Sequence, residues 1–375
     1  MEQNNNIQSH DDNFTIQDFD DNIFNNILEY CDEKKSLLST CKNYREKFHE
    51  NVWFDFYKFM RKRKRNHNLE NMKISKLRVF NLFYSEIQPH LQNLTHLEFD
   101  GDKLPDDFSE LVPNLQYLKF SDNFDGSVDN LPQNLRTLIF GHKFNGSVDK
   151  LPQYLQYLEF GFNFNKSVDN LPNSLLYLEF GDYFNQSVDK LPKGLQILKF
   201  GILFNNSIDN LPKNLRYLKI RGKFNNSIDN LPANMQILIL ECKFNQSVDK
   251  LPQNLQVLIF GRYFNKSVDN LPPRLKILRF GDSFNQSVDK LPKELEILKT
   301  GNSFSRDTVV HMTKNMQIMD NEFEILFKVD INNLPRYKKY LEDYHYVIKD
   351  NKYWMDFYQN FLKTNLTHLL FSKKY

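Results

Sequence analysis

One twenty-residue sentence, L-x-x-L-x-F-G-x-x-F-N-x-S-V-D-N-L-P-x-x, is written ten times without a change of register. Its first positions are Leu115, Leu135, Leu155, Leu175, Leu195, Leu215, Met235, Leu255, Leu275 and Leu295. A fixed period of this length leaves little room for anything but a solenoid, a stack of small like units in which each touches only its neighbours. Such a stack grows by adding units, so a length of 375 residues says little about the number of domains.

Within one unit the apolar positions are the first, fourth, sixth, tenth, fourteenth and seventeenth, as in Leu135, Leu138, Phe140, Phe144, Val148 and Leu151. Alternation over positions four to six predicts a short strand, with the fourth and sixth side chains on one face and the third and fifth on the other. The rest is turn chemistry, Gly141, Asn145, Asp149 and Pro152 in the same unit. Proline at a fixed place from Pro132 to Pro292 argues against a regular helix there. A lone unit has too few apolar side chains to offset the ordering of its backbone, so neighbours must pair strand to strand. Ten units at the spacing of a sheet make a parallel ladder of about 45–50 Å.

The asparagine row from Asn145 to Asn285 is expected to form a ladder, each amide bonding the backbone of an adjacent turn. The serine and aspartate rows, Ser147 and Asp149 in one unit, suit local bonds to turn backbone. The aspartates lack the glycine pairs of calcium-binding solenoids, so no metal or other cofactor is expected. The F-N-x-S turns also read as glycosylation acceptors, here a by-product of the repeat.

Composition narrows the class further. A net charge of +2 gives no reason to expect nucleic acid or an anionic membrane as partner. Cys31, Cys41 and Cys242 are too few and scattered for a disulfide framework. No targeting signal or membrane-length apolar run stands out, so an intracellular, cytoplasmic protein is expected. The basic run Met60–His67 leaves the nucleus open, although it also suits a solvated helix end. No nucleophile elbow, P-loop or metalloprotease motif occurs, and the chain is expected not to be an enzyme.

Function is expected where the copies disagree. Position three carries Tyr117, Thr137, Tyr157, Tyr177, Ile197, Tyr217, Ile237, Val257, Ile277 and Ile297, and position five includes Lys199, Lys219 and Arg279. An apolar strip of that size on an outward sheet face suits recognition of a protein. A cross-strand ladder that merely stabilises the sheet fits it equally. The target-binding candidates are Tyr117, Tyr157, Tyr177, Ile197, Tyr217, Ile237, Lys199, Lys219 and Arg279.

The L-x-x-L-x-F frame followed by an Asn-bearing turn and L-P is similar to leucine-rich repeats. It more closely resembles the FNIP repeat family, with FNQSVDKLP at Phe184–Pro192 a good example, over residues 94–304. The units here are shorter than is usual for that family. Imperfect copies extend both ends: Ile74, Leu77 and Val79 fall one period before Leu94, Leu97 and Phe99, while Met316 and Met319 continue past Leu295. Residues 320–375 carry Leu341, Tyr344, Ile348, Trp354, Phe357 and Phe361 at helical spacing, a helical C-terminal cap.

Residues 14–60 follow another rhythm. Phe19, Ile23 and Ile27 form one helical stripe and Phe24, Leu28 and Cys31 a second. Next come Leu37 and Leu38 behind a Ser36 cap, then Val52, Trp53, Phe56 and Phe59, giving three short helices. The segment FDDNIFNNILEYCDEKKSLL with Trp53 downstream resembles an F-box, with Asp20 where that family has proline. The resemblance implies docking of Phe19, Ile23, Phe24, Ile27, Leu28, Leu37, Leu38 and Trp53 to a Skp-type adaptor and thereby to a cullin ligase core. F-boxes precede FNIP repeats in slime-mould and giant-virus members of that family.

The expected order is therefore a disordered tail (1–13), an F-box-like all-α module (14–60), a basic linker with a degenerate capping repeat (61–93), the repeat solenoid with its parallel sheet (94–319) and the cap (320–375). The function this implies is a substrate-recognition adaptor that brings an unknown target protein to a ubiquitin ligase. The alternative is a binding scaffold or decoy without ligase recruitment. A ligase of the bacterial-effector kind needs a cysteine after the repeats, and none follows Cys242.

Overall fold

The computed structural model describes residues 54–55, 74–79, 82, 87–304 and 317–319. The expected tail, nearly all of the F-box-like module with Phe19, Ile23, Phe24, Ile27, Leu28, Leu37, Leu38 and Trp53, the basic run and the C-terminal cap lie outside the described residues. The chain divides into two units, Met1–Leu175 and Leu176–Tyr375.

In the first unit six strands lie side by side in chain order, all parallel: β1 (Phe54–Asp55), β2 (Lys76–Val79), β3 (His96–Phe99), β4 (Tyr117–Phe120), β5 (Thr137–Ile139) and β6 (Tyr157–Glu159). The degenerate copy is in register, Leu77 opposite Leu97 and Val79 opposite Phe99. The step from β3 to β4 accommodates one extra residue and a single helical turn, α1 (Phe108–Leu111), whose Phe108 is buried. A helix was expected across Val52–Phe59, but Phe54–Asp55 is a strand paired to β2. Its apolar residues were read at helical spacing, yet the unpaired edge of β2 offers ladder bonds that a helix at this point would forgo.

The second unit continues the same rule through β7 (Tyr177–Glu179), β8 (Ile197–Phe200), β9 (Tyr217–Gly222), β10 (Ile237–Cys242), β11 (Val257–Phe260), β12 (Ile277–Arg279), β13 (Ile297–Lys299) and β14 (Gln317–Met319). The last register differs from expectation: Ile318, not Met319, stands opposite Leu298. One residue of slip exchanges the two faces of a strand, and sequence spacing alone does not resolve it where Met316, Ile318 and Met319 are all apolar.

Each coil is built alike. Its proline carbonyl accepts the N–H of the leucine or methionine three residues on, as Pro152 does from Leu155 at 3.1 Å, turning the chain into the strand. The fourth- and sixth-position side chains then point into the coil and the tenth meets them. Phe260 and Phe264 stack at 3.7 Å between ring centroids, and Phe140 and Phe144 at 3.8 Å. Rings of successive coils repeat at about one coil's spacing, Phe244 to Phe264 to Phe284 at 6.1 Å each. A phenylalanine column inside each stack is therefore the core.

The polar rows serve the stack. Asn225 Oδ1 accepts the Asn245 N–H at 2.8 Å, and Asn245 Oδ1 accepts that of Asn265 at 2.9 Å. Asp125 does the same for Asn145 at 2.9 Å, so the ladder requires a side-chain acceptor rather than an amide as such. Ser147 donates to Asp149 Oδ2 at 2.8 Å and accepts the Asp149 N–H at 3.3 Å, the expected local turn. Asp149 Oδ1 also accepts from Asn170 Nδ2 one coil later, at 2.9 Å. Together these two bonds hold the exposed Asp149 carboxyl below its usual range, Asn170 contributing most.

Candidate binding face

With positions four and six turned inward, positions three and five lie on the outer face of the sheet. In the first unit the face is tightly knit. Arg78 pairs with Glu98, and His96 stacks on Tyr117 at 5.5 Å. Tyr157 donates its hydroxyl hydrogen to Glu159 at 2.8 Å. Tyr117, a target-binding candidate, is only 5% exposed, so it serves as packing and not as open surface. Burial pulls the Lys119 ammonium down against the opposing pull of Glu98 and Glu159.

Desolvation lowers His96 from 6.5 to about 4. The folded protein thus keeps this imidazole neutral while the unfolded chain protonates it, so stability is lost as pH falls from 6.5 toward about 4 and is level below that window. Urea unfolding of the full chain at stepped pH should show that slope, and His96→Phe should flatten it. An unchanged slope in the variant would assign the loss to other groups.

In the second unit a chain of polar contacts crosses β7 to β10. Tyr177 donates to Glu179, and Lys199 Nζ donates to the Tyr177 hydroxyl oxygen at 2.6 Å and to Glu179 at 2.9 Å. The Lys199 ammonium also sits 5.0 Å from the Tyr177 ring centre. Burial alone would raise the Glu179 carboxyl, but Lys199, the Tyr177 hydroxyl and Lys219 outweigh it and hold it low. Lys219 pairs with Glu241 at 2.8 Å. Tyr217 is raised, first by burial and then by Glu179 and Glu241. Lys199 and Lys219 retain 25% and 28% of their side-chain exposure, enough to be touched yet too little to move freely.

Two coils depart from the common form beside this cluster. Position seven is glycine in most units because a Cβ there would meet the backbone of the coil before; at Gly281 it would stand 2.3 Å from the Gly261 oxygen. Arg221 and Glu241 take that position in β9 and β10, and these strands run on to six residues each. Both side chains are exposed, and Arg221 reaches to 4.0 Å from Asp182. The chain turns back at Gly222 with φ of +75°, a conformation that L side chains rarely adopt.

The nine target-binding candidates therefore divide. Tyr157 in the first unit and Tyr177, Ile197, Tyr217, Lys199, Lys219 and Arg279 in the second are half-buried on the outer face. Ile237 is fully buried, packed with Ile239, Val257, Ile259, Ile277 and Ile297 in a cluster of its own. Surface that sequence reasoning missed lies at positions eight and nine, on the turn after the strand. Phe162 in the first unit is 42% exposed, and Tyr183, Ile202 and Tyr263 in the second are 47%, 38% and 51% exposed. The signal was present, since these positions vary from copy to copy as much as three and five do.

Glu179 is paired with Lys199 and Glu241 with Lys219, and among the described residues no three His, Cys, Asp or Glu side chains gather to hold a metal. Burial pushes the Cys242 thiol up to about 12, so it stays protonated and is a poor nucleophile. Among the described residues no helix is long and apolar enough to cross a membrane.

The model of the FNIP Repeat family matches residues 144–183, 164–202, 224–283 and 267–303. Over those residues the repeats are similar to FNIP repeats. The described coils build a leucine-rich-repeat-like parallel solenoid, as the likeness to solved structures shows. CroV588, described as a novel circular leucine-rich-repeat protein structure, is 28% identical with a TM-score of 0.52, covering 72% of this chain. The chain spans about half the length of CroV588, 49%. An internalin (inlF) from Listeria monocytogenes is 16% identical with a TM-score of 0.51, over 68% of this chain and 82% of that one, and bears on fold alone. No curated protein matches the chain significantly in sequence.

Proposed function

We propose that this FNIP-repeat chain is a target-binding adaptor whose recognition surface is the open part of the outer sheet face, together with the turn ridge beside it. The observation that carries this reading is the juxtaposition in the second unit of half-buried, mutually braced Tyr177, Lys199, Tyr217 and Lys219 with exposed Tyr183 and Ile202. Ordered aromatic and cationic side chains lose little entropy on binding, and exposed apolar neighbours supply the area that is desolvated. Adjacent coils carry the two ridge residues, the Ile202 N–H bonding to Asp182 Oδ1 at 3.3 Å.

The F-box-like segment gives the finer form of the proposal. Phe19, Ile23, Phe24, Ile27 and Leu28 dock to a Skp-type adaptor, and the solenoid raises the effective concentration of its target before a ubiquitin-transferring enzyme. The reading as a scaffold without ligase recruitment draws on Asp20 in the place of the family's proline and on the strand at Phe54–Asp55. Affinity purification of the full chain from amoebal lysate separates the two. Ile23→Asp with Ile27→Asp should release the adaptor and keep the target, while Tyr183→Ala with Ile202→Ala should weaken target capture about tenfold or more and keep the adaptor. Absence of any adaptor in the parent pull-down leaves the scaffold reading; target capture untouched by the ridge pair overturns the assigned surface.

A further inference from the structure

Around β9 the basic side chains outnumber the acids that meet them. Lys199 pairs with Glu179 at 2.9 Å, Lys219 with Glu241 at 2.8 Å, and Arg221 stands 4.0 Å from Asp182. Lys223 and Lys243, at position nine of consecutive coils, are exposed and meet no acid among the described residues. Their backbones are one coil apart: the Lys243 N–H bonds to the Gly222 carbonyl oxygen and the Lys223 N–H to that of Ile202, each at 2.9 Å. On another row the fold gives a lysine the aspartate of the coil before, as Lys250 meets Asp229 at 3.0 Å and Lys290 meets Asp269 at 3.4 Å. Position nine offers no such acid, since Leu203 precedes the two lysines and Tyr263 follows them. Two like charges on adjacent coils repel, so the pair weakens the fold until an anion joins it. Apolar surface flanks the pair on both sides. Tyr183, Ile202 and Tyr263 are 47%, 38% and 51% exposed, three of the five large apolar side chains so exposed among the described residues. Along position nine the row therefore reads Tyr183, Leu203, Lys223, Lys243, Tyr263.

We infer that this row takes an extended acidic peptide segment of the target protein. Two neighbouring carboxylate side chains meet Lys223 and Lys243, and apolar residues on either side of them rest on Tyr183 with Ile202 and on Tyr263. The inference rests on the reading of the ridge as part of the recognition surface and adds the chemistry of what is recognised. Four coil steps of about 5–6 Å separate Tyr183 from Tyr263, a span that roughly six to eight residues of extended peptide cover. Charge complementarity supplies orientation and discrimination, while the exposed tyrosines supply the area that is desolvated. A nucleic acid also offers anions and rings, but its phosphates repeat along its whole length. Here the cationic stretch is bounded by acids, Asp182 on the coil of Tyr183 and Asp282 on the coil after Tyr263, and Glu241 beside Lys243 keeps 43% of its side-chain exposure. Such a pattern suits a short acidic segment rather than a phosphate backbone.

Panning a phage-displayed library of random peptides, about twelve residues long, on the full-length chain tests this with defined probes. Enriched peptides should carry two or more Asp or Glu close together, with Phe, Tyr, Leu or Ile within a few residues on each side. Synthetic copies, followed by fluorescence anisotropy, should bind the Lys223→Glu, Lys243→Glu protein about tenfold or more weakly than the parent. Lys193→Glu with Lys213→Glu is the control. Those lysines are likewise exposed on consecutive coils but occupy position nineteen, away from the row, and affinity should be unchanged. An equal loss from the control pair, enrichment without acids, no enrichment at all, or a fluorescent oligothymidylate that binds as tightly as the best peptide would each overturn the inference. All four lysines are exposed, so the variants are expected to fold, which circular dichroism checks. Should the charge reversal fail to fold, Lys223→Gln with Lys243→Gln carries the test and should give a smaller loss in the same direction. Peptides lost by Tyr183→Ala with Ile202→Ala but kept by the charge reversal would remove this inference and leave the ridge reading standing. Peptides indifferent to both pairs would remove both.

Discussion

Truncation of Phe264 to alanine is expected to lower the unfolding free energy of the second unit by about 3–5 kcal/mol. The ring is fully buried, stacked on Phe260 at 3.7 Å and flanked by Phe244 and Phe284 at 6.1 Å and by Phe280 at 6.3 Å. Its removal leaves a cavity walled by rings that belong to separate coils. Each coil is tied to its neighbours by strand and asparagine ladders, so the walls cannot close in and the cost stays near the upper part of the range. The adjacent Tyr263 is 51% exposed, and Tyr263→Ala should change stability by less than about 0.5 kcal/mol. Urea unfolding followed by circular dichroism measures both. Equal midpoint shifts for the two variants would sink the account of the core as a stacked phenylalanine column.

Gly222→Ala should cost about 2–5 kcal/mol, for two reasons that add. A left-handed backbone costs an L side chain about 1–2 kcal/mol, and overpacking against rigid surroundings about 1–3 kcal/mol. Here φ is +75° and the new Cβ would stand 2.1 Å from the Ile202 carbonyl oxygen. The obstacle is backbone, so no rotamer change relieves it. The damage should be local first: Gly222 is paired with Cys242, and its carbonyl accepts the Lys243 N–H at 2.9 Å. Hydrogen exchange should therefore show loss of protection at Lys243 before the rest of the unit unfolds. A variant as stable as the parent, with Lys243 still protected, would mean that the turn relaxes to another conformation at little cost.

Much of this architecture could be read from residue types. The Leu-x-Phe alternation declared strands, and the fixed proline and asparagine declared the turns and the ladder. What could not be read so easily were departures of one or two residues. Arg221 and Glu241 in place of glycine look like minor lapses in the repeat, yet they lie within β9 and β10, each of which runs to six residues. The pairing of Ile318 with Leu298 was misread by one residue because Met316, Ile318 and Met319 all satisfy an apolar pattern. Phe54–Asp55 was read as helix because apolar spacing over a few residues cannot tell a helix from a strand that completes an edge.

The binding face was legible as a pair of rows but not as a surface. Tyr117, Ile197 and Ile237 occupy one repeat position, and nothing in their order along the chain distinguishes them; exposure does, at 5% for Tyr117, half-buried for Ile197 and none for Ile237. The exposed Tyr183, Ile202 and Tyr263 were passed over because apolar residues in a turn carry no periodicity.

By itself, then, the sequence determined that the chain stacks twenty-residue coils, which residues point inward, and which rows are free to vary. Those properties are local: a period, an alternation and a turn residue act within one unit and are repeated. Which part of the outer face is open and which is closed was decided by the tertiary structure alone. Solvent access depends on what lies across a side chain in space, and residues that share a position in the repeat need not share that neighbour.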